Sequence, residues 1–297
     1  MIVVNLSGGL GNQMFQYATA VTLASQHNIE CGFDGSYFEQ KLKHVTSWEF
    51  QLSLFNTKIR KLSKSDLTSM FPLLRYNIIF RVFRKVSLRL KLSKTYFFEK
   101  SFRYDPSLSS LTPPCYLDGY FQSYKYFESN RETILRHFKP VERPNKSNLD
   151  VISKMQSCNS VAVHFRRGDY IKSSVAAATH GASSLDYYAS ATSLIKSKVG
   201  ECHFFIFSDD IEWVKENFEF PGNATFVNHN VGENSYWDLI LISKCRHCII
   251  ANSTFSWWGA WLNENVGKIV IAPEKWFSNP ELNEQTVDLM PASWVRI

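Results

Sequence analysis

At 297 residues the chain has room for one large domain or two of about 150, and its 44% apolar and 15% aromatic content is that of a globular protein with ample core. A net charge of +6 permits an acidic ligand but falls short of the basicity of a nucleic-acid-binding domain. No run of about 18 apolar residues occurs, so no segment is expected to span a membrane, and the opening MIVVNLSGGLGNQM has neither the basic start nor the apolar length of a secretory leader.

Six dispersed cysteines (31, 115, 158, 202, 245 and 248) fit reduced thiols in a cytoplasmic protein rather than a disulfide scaffold. Cys245 and Cys248 form a CxxC around His247, but no second pair follows at zinc spacing and they lead straight into an apolar run. Core cysteines entering a strand are the expected reading.

Taken in order, residues 1–5 read as a strand and Ser7-Gly8-Gly9-Leu10-Gly11-Asn12-Gln13 as a glycine-rich turn. A helix follows with Met14, Tyr17, Ala18, Val21 and Ala24 on one face. Glycine lets a backbone approach a ligand, and a helix start offers N–H groups to a negative charge. After Gly9-x-Gly11, Met14 takes the place of the third dinucleotide-binding glycine, and no Gly-Lys-Ser/Thr follows. The amides of Asn12 and Gln13 could bond a sugar or a phosphate.

Residues 28–70 carry few strong signals. Over 75–100 there are eight Lys or Arg against one acid, Glu99, with Ile79, Val82, Phe83, Val86 and Leu90 on one helical face. That is either an interfacial helix drawn to anionic lipid, a peripheral membrane contact, or an ordinary amphipathic helix with a solvated basic side. Leu117–Ser123 reads as a strand and polar turn leading into a helix to about His137. The polar, proline-bearing segment 139–148 is the expected domain boundary, giving units 1–142 and 143–297.

The second unit resumes with a helix to about 156 and the strand Ser160–Phe165. This strand is small and apolar until His164, Arg166, Arg167 and Asp169 arrive together. Adjacent arginines at a strand's carboxyl end suggest an anion, because guanidinium matches phosphate oxygens two at a time. A loop over 171–184 and a helix near 185–198 come next. His203–Phe207 is another buried strand, ending in Ser208-Asp209-Asp210. Asp209 followed by Glu212 fits a capping box, while two carboxylates there could instead pair with a guanine. A third strand, Cys248–Ala251, leads into Asn252-Ser253-Thr254, hydroxyls and an amide that can cap the helix Phe255–Leu262 or hold a phosphate. Trp257, Trp258 and Trp261 are expected in the core, and Lys268–Ala272 is the last expected strand.

Strand–helix alternation with polar strand ends argues parallel sheets and a nucleotide at a carboxyl edge. The natural architecture is α/β, two Rossmann-like domains facing across a cleft.

The segments Gly8–Gln16, His164–Tyr170, Phe207–Asp210 and Asn252–Ala260, in this order and spacing, together resemble the bacterial α-1,2-fucosyltransferases of glycosyltransferase family 11. Thr179-His180-Gly181 and Leu185-Asp186-Tyr187-Tyr188 are similar to that family too, and the HxRRxD element is shared with α-1,6- and protein O-fucosyltransferases. The resemblance implies a GT-B fold, GDP-β-L-fucose as donor, inversion at the fucose anomeric carbon and no metal or other cofactor. The acceptor would be a terminal β-galactoside in an O-antigen-type glycan, free or lipid-linked, fucosylated at its 2-hydroxyl. The expected location is the cytoplasm, or the inner face of the membrane if the basic 75–100 stretch contacts lipid.

On that reading the first unit is the acceptor side and the second binds GDP-fucose. Arg166 neutralises the departing pyrophosphate, and Arg167 assists or anchors the loop. Asn252, Ser253, Thr254 and the Phe255 amide hold phosphate. Ser208, Asp209 or Asp210 reads guanine or ribose, and His164 lines the pocket. Gly11 and Asn12 meet the fucose or β-phosphate from the opposing domain, and Asp169 or His180 is the general base. The rivals are another GDP-fucose-dependent transferase, an NAD-dependent oxidoreductase with Asp34 near the ribose, and a sugar-binding protein using Arg167-Gly168-Asp169 or the tryptophans.

Overall fold

The computed structural model describes residues 1–39, 48–90, 93–167 and 181–297, with the side chains of 77 and 88–90 outside the description. The chain divides into one unit of Met1–Glu142 with Val287–Met290, and a second of Arg143–Thr286 with Pro291–Ile297. The short return segment is held in the first unit by Asp288. Its carboxylate pairs with Lys125 and accepts from the Tyr104 N–H, while its carbonyl accepts from Ser123 Oγ.

The first unit contains β1 (Ile2–Asn5), α1 (Leu10–Gln26), β2 (Cys31–Asp34), β3 (Arg60–Lys61), α2 (Lys64–Met70), α3 (Asn77–Leu90), β4 (Tyr96–Phe98), β5 (Cys115–Asp118) and α4 (Arg131–His137). The strands form one parallel sheet in the order β3-β2-β1-β5-β4. Ile2, Val3 and Val4 are fully buried, as β-branched residues of a central parallel strand covered on both faces should be. Helix α1 is buried for most of its length, and Ala18, Ala20 and Ala24 let neighbours approach closely. Its chain leaves through Asn28 at φ +52, a left-handed position that asparagine tolerates. Two 3₁₀ turns precede α4 where a continuous helix was expected.

The second unit contains α5 (Lys146–Gln156), β6 (Ser160–Phe165), α6 (Leu185–Val199), β7 (His203–Ser208), α7 (Ile211–Asn217), β8 (Asn223–Val227), α8 (Tyr236–Lys244), β9 (His247–Ile249), α9 (Thr254–Leu262), β10 (Val270–Ala272), α10 (Pro280–Asn283) and β11 (Val295–Arg296). Its sheet is also wholly parallel, in the order β11-β10-β9-β6-β7-β8. Counted from β6 this is the 3-2-1-4-5-6 order of a dinucleotide-binding sheet, so the α/β class and two Rossmann-like sheets are present. Every residue of β6 is buried. Val161, Val163 and Phe165 pack on Tyr188, Ala191 and Ile195 of α6, with the Phe165 and Tyr188 rings stacked at 3.8 Å.

Helices α8 and α9 touch as closely as glycine allows, because a Cβ on Gly259 would lie 2.6 Å from Ile242 Cγ2. Trp257 and Trp258 are wholly buried beside that contact. Cys245 and Cys248 are buried as well, and burial pushes the Cys248 thiol up to about 11 and that of Cys245 well above its ordinary value. The sequence pattern contained no signal for β8 or for β11, which pairs with β10 from within the tryptophan-bearing tail.

Candidate active site

In the second unit the connections leave β6 toward β7 on one side and, later, reach β9 on the other, so the carboxyl ends of β6 and β9 are the switch point where chains part and a ligand can enter. Two tyrosines of α6 hold this edge. Tyr188 OH donates to the His164 carbonyl (3.0 Å), and Tyr187 OH to the carbonyls of Ile250 (2.7 Å) and Ile271 (3.2 Å).

Arg166 and Arg167 leave β6 together and are fixed by the two aspartates at the end of β7. Arg166 Nη1 lies 3.2 Å from Asp209 Oδ2, with about a quarter of each side chain exposed, and the Arg167 N–H donates to Asp209 Oδ1 (2.9 Å). Arg167 Nε lies 3.5 Å from Asp210 Oδ2 and its guanidinium sits 3.2 Å over the Trp213 ring. Arg167 is thus held by Asp209, Asp210 and Trp213, and Arg166 by Asp209 at the strand end.

The capping role expected of Asp209 falls to Asp210. Helix α7 begins at Ile211, Asp210 accepts from the Trp213 N–H (3.4 Å), and Glu212 pairs with Lys215 instead of closing a box. Asp209 is turned toward the arginines. Ser208 Oγ accepts from the Asp210 N–H (3.0 Å), completing a tight turn. These contacts engage all three residues assigned to guanine or ribose with the protein itself.

His164 is 5% exposed, and among the described residues its Nδ1 has no hydrogen-bond partner. Burial, with Arg166 adding its charge, lowers its pKa to about 3. It is a neutral imidazole at physiological pH, placed 5.7 Å from the Phe255 ring. Ser253 is the N-cap of α9 without a side-chain cap bond, so the first-turn N–H groups from Thr254 onward point out of the helix at the switch point. Asn252 is engaged elsewhere. Its Nδ2 donates to the carbonyls of Gly181 (2.8 Å) and Trp276 (3.2 Å), and its Oδ1 accepts from Ser183 (3.2 Å). It ties two loops to the strand end. Asp169 and His180 lie outside the described residues.

In the first unit the corresponding switch point lies between β1 and β5. Gly8, at φ +75, turns the chain into α1, and Gly11 and Asn12 stand in that helix's first turn. Asn12 Oδ1 accepts from Gln122 Nε2 (3.0 Å). Gln13, expected to face a ligand, is fully buried: it donates to the carbonyls of Gly8 and Glu49 and accepts from the Gln51 N–H. Gln16 braces the same loop through Ser7 and Gly119. Asp34 accepts from Tyr116 OH (2.8 Å) and the Ser36 N–H (2.9 Å), which binds it to its own unit and weakens the dinucleotide reading.

Glu99 escaped the sequence reading. It stands after β4 and accepts from the N–H groups of Tyr120 (2.7 Å) and Phe121 (3.0 Å), holding Phe121 at φ +54, and burial pushes its carboxyl up to about 7. The only sequence clue was Gly119, where a Cβ would lie 2.3 Å from that of Glu99.

The model of glycosyl transferase family 11 matches residues 1–297, the whole chain. The chain belongs to glycosyl transferase family 11. It is similar to the O-antigen biosynthesis glycosyltransferase WbnK of Escherichia coli, at 35% identity over 98% of this chain and 99% of that protein. An α-1,2-colitosyltransferase of Escherichia coli is 35% identical over 100% and 99%. The human galactoside α-(1,2)-fucosyltransferase 1 is 26% identical over 86% and 64%. Among solved structures, the Bradyrhizobium fucosyltransferase NodZ is similar with a TM-score of 0.49 and 15% identity, over 87% of this chain and 92% of that one. This family member is thus a glycosyltransferase, similar to a bacterial O-antigen biosynthesis glycosyltransferase.

Proposed function

We propose that the chain moves L-fucose from GDP-β-L-fucose to the 2-hydroxyl of a terminal β-galactose, inverting the anomeric carbon. The observation that carries this reading is Arg166, fixed by Asp209 at the β6/β9 switch point. The acceptor oxygen attacks C1 as the bond from C1 to the β-phosphate oxygen breaks, and the hydroxyl proton passes to a base, for which Asp169 and His180 remain the candidates. Negative charge grows on the departing GDP. Preorganised donors aimed at growing charge are the largest single source of catalysis in such sites. Arg166 supplies a full charge, and the first turn of α9 at Thr254 and Phe255 supplies backbone dipoles. Neutral His164 can hydrogen-bond the donor without adding a charge. Asp209 and Asp210 face arginines, which supports a metal-independent reaction.

A second reading is favoured by the 35% identical colitosyltransferase, matched over the full chain. Colitose is fucose without its 3-hydroxyl, so the two donors differ by one polar group. The test is transfer from GDP-fucose and from GDP-colitose to lactose, N-acetyllactosamine and Gal-β-1,3-GalNAc, with linkage determined by NMR. An α-1,2-fucosyl galactoside is expected. Product from GDP-colitose alone would move the donor to the second reading. Absence of transfer from both, together with thermal stabilisation by NAD and not by GDP, would remove the transferase proposal.

A further inference from the structure

Helix α3 carries two apolar stripes on different faces. Phe80 and Phe83 turn inward, with ring centroids 5.7 Å from Phe98 and 5.4 Å from Tyr96, and join the core around Phe71 and Tyr116. Ser87, four positions beyond Phe83, is buried on the same side. The face expected from the sequence grouped Phe83 with Ile79, Val82 and Val86, and the structure separates them. Ile79, Val82 and Val86, spaced by three and four, are 53%, 57% and 39% exposed, and Ile78 beside them is 78% exposed. An ordinary amphipathic helix buries its apolar stripe and leaves polar residues outside. Here a second stripe remains in solvent after the core is complete, and a contiguous exposed apolar face marks an interaction surface.

The charges around the stripe indicate what it meets. Arg81 and Lys85 are exposed along the helix and Arg75 in the 3₁₀ turn just before it, whereas Arg84 turns toward Asp118 (2.7 Å) and the Phe98 ring. Residues 71–98 contain no Asp or Glu. A second copy of the chain meeting this face across a two-fold axis would bring Arg81 and Lys85 against their own kind, with no carboxylate in the segment to answer them. A surface of phosphates answers all three cations. Among the described residues no helix is long and apolar enough to cross a membrane, so the contact is a peripheral one.

We propose that α3 docks the protein on an anionic phospholipid bilayer. Ile78, Ile79, Val82 and Val86 sink to the acyl boundary, and Arg75, Arg81 and Lys85 rest on lipid phosphates. Juxtamembrane Lys and Arg each strengthen such binding on the order of fivefold, an effect that salt screens.

The test uses the full chain in flotation with phosphatidylglycerol–phosphatidylethanolamine vesicles, against phosphatidylcholine vesicles. Binding to the anionic vesicles alone is expected, lost in high salt. The double variant Arg81→Gln/Lys85→Gln should bind on the order of 25-fold more weakly. The triple variant Ile79→Ser/Val82→Ser/Val86→Ser should not float. Because these side chains are exposed, both variants should keep the wild-type melting temperature and the wild-type transfer rate to a soluble acceptor. Wild-type protein that stays in the aqueous phase overturns the proposal, as do variants that float like wild type. A wild-type dimer in light scattering that becomes a monomer in the triple variant would assign the stripe to a second copy instead.

Discussion

Asp209→Asn separates two roles for the carboxylate at the end of β7. In the structure its oxygens lie 3.2 Å from Arg166 Nη1 and 2.9 Å from the Arg167 N–H. Asparagine keeps an acceptor for the N–H and surrenders the charge facing the guanidinium. A charge-assisted hydrogen bond contributes about 1.5–3 kcal/mol and a neutral one about 0.5–1.5. The quarter exposure of both side chains discounts the difference toward the surface-pair range. A stability loss of about 1 kcal/mol follows, with a fall in kcat/KM of about fivefold to tenfold as Arg166 loses its orientation. GDP affinity should hold or tighten, because a negative charge has left the neighbourhood of an anion. If Asp209 instead reads guanine, the variant should lose its preference for GDP over ADP by on the order of 10² or more, since a buried donor pair on the base would go unanswered. Calorimetric titration of wild type and variant with both nucleotides, beside steady-state transfer kinetics, measures each quantity. Collapse of GDP binding to the ADP level, with a wild-type rate at saturating donor, would refute the positioning role.

Four further outcomes are expected. Arg166→Ala should lower kcat by about 10²–10³ with the fold intact, as loss of one preorganised donor does, and near-wild-type turnover would remove it from the reaction. Transfer should survive EDTA; a loss restored by a divalent cation would return Asp209 and Asp210 to a metal role. His164 is depressed from 6.5 to about 3, so the unfolded chain takes the proton first, and stability complete above pH 6.5 is lost as pH falls. At 1.36 kcal/mol per unit, wild type should lose about 2 kcal/mol between pH 7 and 5 that His164→Asn does not, read by urea unfolding at both values. Gly259→Ala should destabilise by about 1–3 kcal/mol, because its Cβ would lie 2.6 Å from Ile242 Cγ2 and 3.1 Å from the Leu239 carbonyl.

The central strands were legible because burial on both faces leaves an uninterrupted apolar run, and β6 ends where that run stops at Arg166. What decides a side chain's direction was not. Asp209 has the capping-box spacing to Glu212 on paper, yet the helix starts at Ile211 and the cap is Asp210. Phe83 and Ile79 share an apolar arc in projection, and only the positions of Tyr96 and Phe98 show which half of the arc is inside. Gln13 and Asn252 carry amides suited to a ligand, yet backbone carbonyls claim them. Glu99 was hidden because its partners are N–H groups, which leave no mark in a sequence. Strands β3 and β11 are two residues each, too short for any periodicity.

The tyrosine pair on α6 has a consequence for how a crevice can exist at all. Where β9 turns away toward Asn252, the ladder between neighbouring chains comes to an end, and each carbonyl past that point stands to lose its donor in a region shielded from water. The Ile250 carbonyl receives the Tyr187 hydroxyl, and the His164 carbonyl that of Tyr188. Two phenol groups thus act as surrogate strand neighbours, letting the backbone fan apart without orphaned oxygens. Tyr187→Phe would leave the core its ring and take away only that substitute, so the strand ends at this edge owe their satisfied carbonyls to a helix and not to the sheet alone.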